Sequence, residues 1–285
     1  MFLFSDSRKY LLIMVPTALL IKLCIVYYNQ DTINVWEDDV IARNMLETGE
    51  MYYMQRDTPN HMSEFPVYVS LVFLTYKIFG SIPFYVIIMN LFIISITCFL
   101  LFDIFCDIFI LLNLKLESIK PEFIALVSIF AFLLHPFITY YSMFKVHSLV
   151  SDIFFPVLII YLSQKFIMKP NFTFQSLLAF GTGFGLLNRP TSVVALLPFI
   201  ILGIKILGLK KTMLKLAFVF LISAVIIIPW LLRGYKIHGV ASMAPMRHEL
   251  LWKGSLYNSD GSNYLLNGEP YFTIISNDEN DYLYG

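Results

Sequence analysis

Eight apolar runs dominate the chain, at 10–28, 66–79, 82–113, 122–141, 149–164, 174–187, 191–207 and 212–232. A hydrocarbon core about 30 Å thick asks for about 20 apolar residues per helix, and most of these runs come close. Within such a core every backbone N–H and C=O must find its partner inside the protein, which leaves only helices and closed barrels. The runs are continuous rather than alternating, so they read as helices. Composition agrees: 58% of residues are hydrophobic and 14% charged, where a soluble domain carries about 25% charged residues. An ordinary soluble enzyme, a disordered chain and a disulfide scaffold are thereby excluded. Formal net charge is zero, and no Lys/Arg block is interleaved with aromatics, so no nucleic-acid partner is expected. The expected fold is an all-α, polytopic membrane helix bundle whose surroundings are membrane lipids.

Cys24, Cys98 and Cys106 lie in apolar runs without paired spacing and read as small buried hydrophobes. Arg8-Lys9 before an apolar run resembles a signal peptide. No small-x-small cleavage site follows around Cys24–Tyr28, so the first run reads as a retained span.

The loop at 29–65 holds Asp31, Glu37, Asp38, Asp39, Glu47, Glu50, Asp57 and Glu64 against Arg43 and Arg56. A loop poor in Lys/Arg faces outward. The run at 66–79 is short for a span and suits a surface or re-entrant element. With that run on the outer surface, Lys115, Lys120, Lys165, Lys169, Lys205, Lys210, Lys211 and Lys215 all fall inside. The expectation is therefore seven spans, a cytoplasmic N-terminus, and outward loops at 29–81, 141–150, 188–190 and 233–285. Residues 1–232 form the transmembrane module and 233–285 an outer tail. Within the first loop, Ile41, Ala42, Met45 and Leu46 share a face at helical spacing and Gly49 is a good stop, predicting a surface helix over about 38–48. Pro66 opens a second surface segment.

Polar residues beyond the needs of packing collect in the outward loops. Glu37-Asp38-Asp39 begin the surface helix; one acid there satisfies the helix dipole, and three exceed it. A partly desolvated carboxylate at that place can act as a general base. Asp152 opens a span from the outside, either paired to Lys145 or His147 or serving as a second outer acid. Arg189, in Asn188-Arg189-Pro190, and Arg233, in Pro229-Trp-Leu-Leu-Arg233, are interfacial anchors or anion-binding groups, since guanidinium suits phosphate. Lys145 joins them as a candidate phosphate ligand. Lys22, inside the first span, is expected to snorkel to the interface. Asp103 and Asp107 read as a solvated helix end rather than a metal pair. Gly181-Thr-Gly-Phe-Gly185 lies within a run and reads as close helix packing. The sequence names no cofactor and leaves the need for a divalent cation open.

Trp36-Glu-Asp-Asp-Val-Ile-Ala-Arg-Asn-Met-Leu-Glu-Thr-Gly49, followed by Pro66-Val-Tyr and Phe79-Gly80, resembles the first outer loop of bacterial GT-C glycosyltransferases. The likeness is to the protein-mannosyltransferase-like group, which includes the aminoarabinose transferases of lipid A. Leu187-Asn-Arg-Pro190 is similar to that group's turn between spans five and six. Pro229-Trp-Leu-Leu-Arg-Gly-Tyr-Lys-Ile-His-Gly239 and Leu251-Trp-Lys-Gly254 resemble the end of its span seven and the loop after it. The resemblance implies inverting transfer of a sugar from a polyprenyl-phosphate donor to a hydroxyl of a lipid, glycan or protein acceptor, on the outer face of a bacterial plasma membrane. It further implies a base among Glu37, Asp38 and Asp39, a phosphate clamp of Arg189 and Arg233, and Asp152 in the place of a second outer acid. The commonest family pattern has Asp eight residues before the helix Ala, where this chain has Asn34; Glu37 matches a less common variant. The family usually continues past the equivalent of Gly285, so 233–285 reads as the start of a longer C-terminal region. Two other functions fit the same outer acids and arginines: a transporter of lipid-linked saccharides, and a non-catalytic membrane subunit of the same fold.

Overall fold

The computed structural model describes residues 6–55, 58–60, 65–112, 120–239 and 241. It is an all-α membrane helix bundle. In chain order the main elements are α1 (Asp6–Tyr28), β1 (Asn34–Val35), α2 (Glu37–Thr48), a hairpin of β2 (Tyr53–Gln55) and β3 (Thr58–Asn60), α3 (Pro66–Phe79) and α4 (Pro83–Leu111). Then come α5 (Pro121–Leu134), α6 (Pro136–Met143), β4 (Lys145–Val146), α7 (Leu149–Met168) and α8 (Phe172–Asn188). A 3₁₀ segment (Pro190–Leu196), α9 (Leu197–Leu207) and α10 (Leu209–His238) complete it.

Among the described residues, five helices are long and apolar enough to cross a membrane: α1, α4, α7, the 3₁₀ segment with α9, and α10. Counting α5 and α6 as one broken span makes six, so the expected seven are not reached. The helix left out is α8, whose 17 residues extend about 26 Å at 1.5 Å each and include Gln175, Thr182 and three glycines. The expected continuous span at 122–141 is also corrected. His135 takes extended backbone (ψ 123) before Pro136, as a residue preceding proline prefers, and the chain bends by 57° there. Pro16, Pro156 and Pro229 are absorbed inside α1, α7 and α10. At the bend, Thr139 Oγ1 donates to the Leu133 carbonyl at 3.2 Å and accepts from Lys22 Nζ at 3.2 Å. Lys22 is therefore buried in the bundle instead of reaching for the interface, because the broken helix offers it a partner inside.

One core joins α1, α4, α5 and α7 through Leu11, Val15, Ile94, Cys98, Ile129 and Val150. A second joins α7 to α8, α9 and α10 through Ile159, Leu178, Phe199 and Val219. Helix α8 is packed tightly on both sides. A Cβ on Gly183 would stand 2.7 Å from Ile226 Cδ1 on α10, and one on Gly185 3.0 Å from Ile159 Cδ1 on α7. That matches the close packing expected of the glycines. Outward-facing apolar side chains such as Ile13, Leu20, Leu214 and Leu221 form the surface a lipid environment would cover. Cys24, expected to be buried, is on that exposed surface; Cys98 is buried and Cys106 half-buried.

Contacts at the helix ends fix which ends lie together. Arg8 pairs with Asp103 at 2.6 Å, Lys165 with Asp107 at 2.7 Å, and Lys215 donates to Gln175 at 3.1 Å. That end carries most of the lysines. Asp103 and Asp107 are thus each bound to a cation on a neighbouring helix, with Asp107 buried, and are not a solvated helix end. The opposite end carries β1, α2, β4, the α8 turn and the end of α10. Helix α3, 14 residues or about 21 Å long, packs there against α2 and the first turns of α4 through Ala42, Tyr68, Val72, Tyr76 and Val86.

Candidate functional site

The loop-rich end is organised by a very short parallel ladder. Asn34 pairs with Lys145 and Val35 with Val146, and the Asn34 amide donates to the Phe144 carbonyl at 2.8 Å. This clamps the start of the first loop to the α6–α7 connection. Directly after it, Trp36 lies over Lys145, whose ammonium is 3.6 Å from the indole centroid and 4.9 Å from that of Tyr141. Lys145 is 6% exposed and its charge is held by the two rings. His147 meets both rings edge-on, its centroid 6.2 Å from Trp36 and 5.1 Å from Tyr141.

Helix α2 starts one residue later than the aromatic contact and one residue earlier than expected, and ends at Gly49 in the left-handed conformation (φ 78), where glycine carries no Cβ penalty. Its three first-turn acids have three environments. Glu37 is exposed. Asp38 is buried and faces Tyr68, whose hydroxyl it helps to keep protonated together with burial. Asp39 is 2% exposed and held by Arg43, Nε to Oδ2 at 2.8 Å and Nη2 to Oδ1 at 3.2 Å. Tyr76 donates a further short hydrogen bond to Asp39 Oδ1. Burial, then this bond, push the Tyr76 hydroxyl well above its ordinary range, and the bond to Asp39 raises Arg43. Asp39 therefore fastens α2 to α3.

From Asp38 the polar contacts continue. Tyr68 donates to Asn90 Oδ1 at 3.1 Å and accepts from the His147 amide at 3.2 Å. The imidazole of His147 accepts at Nδ1 from the Leu149 amide at 3.0 Å. Burial, and next the charges of Lys145 and Arg189, push its pKa down to about 4, so the ring is neutral at pH 7. Beyond it, Arg189 Nη1 donates to Asp152 Oδ2 at 2.6 Å. Asp152 also accepts from Asn188 Nδ2 at 2.8 Å and from Ser148 Oγ at 3.4 Å. Its side chain is 6% exposed and that of Arg189 40%, so the carboxylate is inside and the guanidinium at the mouth. The cation paired with Asp152 here is Arg189; among the described residues no ion pair joins it to Lys145 or His147.

Arg233 stands elsewhere. Its Nη2 donates to the Met51 carbonyl at 2.9 Å and its guanidinium lies 4.8 Å from the Trp230 centroid. It lines a separate cleft of about 630 Å³ with Glu50, Ser70, Trp230 and the last turn of α2. Asp38 and Gly49 are about 16 Å apart along α2, which separates this cleft from the acids. Arg189 is not among the residues lining it. The predicted site residues therefore fall into three sets: Asp38, Lys145, Asp152 and Arg189, linked through Tyr68 and His147, with exposed Glu37 beside Trp36; Asp39, fastened to Arg43 and Tyr76; and Arg233 at the separate cleft. Leu251-Trp-Lys-Gly254 lies outside the described residues. No group of three or more His, Cys, Asp or Glu side chains able to hold a metal ion occurs among the described residues.

Sequence reasoning missed Trp36, Tyr68 and Tyr141 as site residues. Trp36 stands beside the acids, which is a signal; nothing local to Tyr68 or Tyr141 marks them. Chemically, the arrangement offers a buried carboxylate at Asp38, a group able to take a proton, and on the far side of His147 a guanidinium at Arg189, oriented by Asp152 and able to hold an anion. No protein-family model, curated protein or solved structure matches the chain.

Proposed function

We propose that the chain is an integral-membrane glycosyltransferase of the GT-C type. It moves a sugar from a polyprenyl-phosphate donor to a hydroxyl of a lipid, glycan or protein acceptor. The acceptor oxygen bonds to the anomeric carbon, the carbon–oxygen bond to the donor phosphate breaks, and the hydroxyl proton passes to a carboxylate. The observation that carries the reading is the run of polar neighbours that leads from buried Asp38 through Tyr68 and His147 towards Arg189, an arginine paired to Asp152. A displacement of this kind needs a base on one side of the anomeric carbon and a cation on the leaving phosphate. Asp38 is the base in this reading, with Glu37 next; Asp39, occupied by Arg43 and Tyr76, is structural. Arg189 takes the donor phosphate, oriented by Asp152. Seven passes, with α8 counted as a span, and the lysine-rich end in the cytoplasm of a bacterium put this mouth outside.

One observation favours a second reading. The bent α5–α6 span with Lys22 at its break resembles the interrupted helices of transporters, which fits a carrier of lipid-linked saccharides.

Purified protein given mannosyl-phosphoryl-polyprenol separates the two. The enzyme releases polyprenyl phosphate in the presence of an acceptor; a carrier moves the intact lipid across a vesicle bilayer and releases none. Asp38→Asn should lower turnover about 10²–10⁴-fold, while Asp39→Asn should act mainly on stability. Undiminished turnover in both Asp38→Asn and Glu37→Gln would remove the α2 acids from the chemistry.

A further inference from the structure

Trp36 combines two properties that packing alone does not require. One face of its indole is covered by the Lys145 ammonium at 3.6 Å, and its edge region meets His147. Yet the residue is 48% exposed, as a ring with one face covered and the other open would be. Its plane is set from below by a buried cation and from the side by a neutral imidazole. Backbone support comes from the β1–β4 ladder immediately before it. An aromatic ring held in this way can be stacked upon without first losing rotamer freedom.

The open face lies where a sugar would have to be. Trp36 directly precedes Glu37 and stands two residues before Asp38, and His147, which lies against its ring, is within the field of Arg189. In the reading above, the acceptor hydroxyl sits at the acids and the donor phosphate at Arg189, so the transferred ring lies between them. A pyranose presents a face of C–H groups carrying partial positive charge. The face of an indole carries partial negative charge and takes such groups by stacking. We propose that the exposed face of Trp36 is the platform for the hexopyranose of the lipid-linked donor, distinguishing the sugar-bearing lipid from bare polyprenyl phosphate. The proposal rests on the glycosyltransferase reading for the identity of the lipid. A Trp at a membrane surface has one other ordinary use, as an interfacial anchor, and the experiment separates the two.

The full chain carrying Trp230→Phe and Trp252→Phe leaves Trp36 as the single tryptophan. In nanodiscs it is titrated with mannosyl-phosphoryl-polyprenol and with polyprenyl phosphate, and affinity for both is also measured by retention of radiolabelled lipid. The expected result is a saturable change in Trp36 emission with the mannosyl lipid and none with polyprenyl phosphate. Trp36→Leu should weaken the mannosyl lipid about five- to tenfold and leave polyprenyl phosphate unchanged, with Trp36→Phe intermediate. Equal emission responses to both lipids, or unaltered discrimination in Trp36→Leu, would overturn the platform. Quenching of Trp36 by brominated phospholipids that the mannosyl lipid does not relieve would make it an anchor and overturn it likewise. Failure to bind either radiolabelled lipid overturns both the platform and the donor assignment. Binding with the expected Trp36 response but without turnover leaves the platform standing and removes the transferase activity.

Discussion

At the start of α2, neighbouring acids stand in different surroundings. Asp38 and Asp39 are adjacent and both buried, and Asp39 is gripped by Arg43 and Tyr76. Tyr76→Phe should therefore destabilise the protein by about 1–3 kcal/mol, read from thermal unfolding in detergent, with donor affinity unaltered. Asp152 and Arg189 act as a unit, so their effects should not add. Asp152→Asn and Arg189→Ala should raise donor KM alike, and the double variant should be no worse than either. Full additivity would uncouple them. His147 supplies a pH dependence. Its pKa falls from the ordinary 6.5 to about 4 in the fold, so the unfolded chain binds the extra proton first. Its contribution to stability is whole above about pH 6.5 and is lost as pH falls towards 4; His147→Gln should flatten the thermal midpoint across that window. The acid run, Arg189 and Asp152 were legible because charged residues are out of place near a membrane. That Asp39 is held in this way was not legible, since Tyr76 comes from another helix 37 residues away.

Among the elements, the broken span and the glycine-lined helix show two ways in which a polar or small residue becomes part of a membrane fold. Surface helix α2 was readable almost to the residue from Ile41, Ala42, Met45, Leu46 and Gly49, because its periodicity and its stop are local. The break at His135-Pro136 also has a local cause, but Pro16, Pro156 and Pro229 carry the same cause without the same result. The difference is tertiary: Thr139 Oγ1 donates to the freed Leu133 carbonyl and is itself held by Lys22. Lys22→Met should leave the first span apolar yet lower the thermal midpoint, because that partner is lost. A midpoint unchanged or raised would mean that the break is held by packing alone. The two-residue strands had no signal at all, since each is shorter than any alternation a sequence can display.

For the molecule as a whole, the two ends differ in kind: most of the lysines on one, loops, an aromatic cluster and the α2 acids on the other. A topology with the lysine-rich end inside predicts that cysteines placed at Lys210 and Glu47, in a background without Cys24, Cys98 and Cys106, label from opposite sides of the membrane. Labelling of both from one side would refute it. The division of the arginines between two places was not legible in the sequence, because Arg189 and Arg233 belong to helices whose packing only the fold reveals. The β1–β4 ladder also sets a schedule. Asn34 and Lys145 are about 110 residues apart, and at about 5–20 residues per second a ribosome takes roughly 5–20 s to make the second after the first. Arg189 arrives later still. During that interval the acidic loop is already made while the chain that will clamp it is not, so the mouth cannot close until the α6–α7 connection emerges beside it.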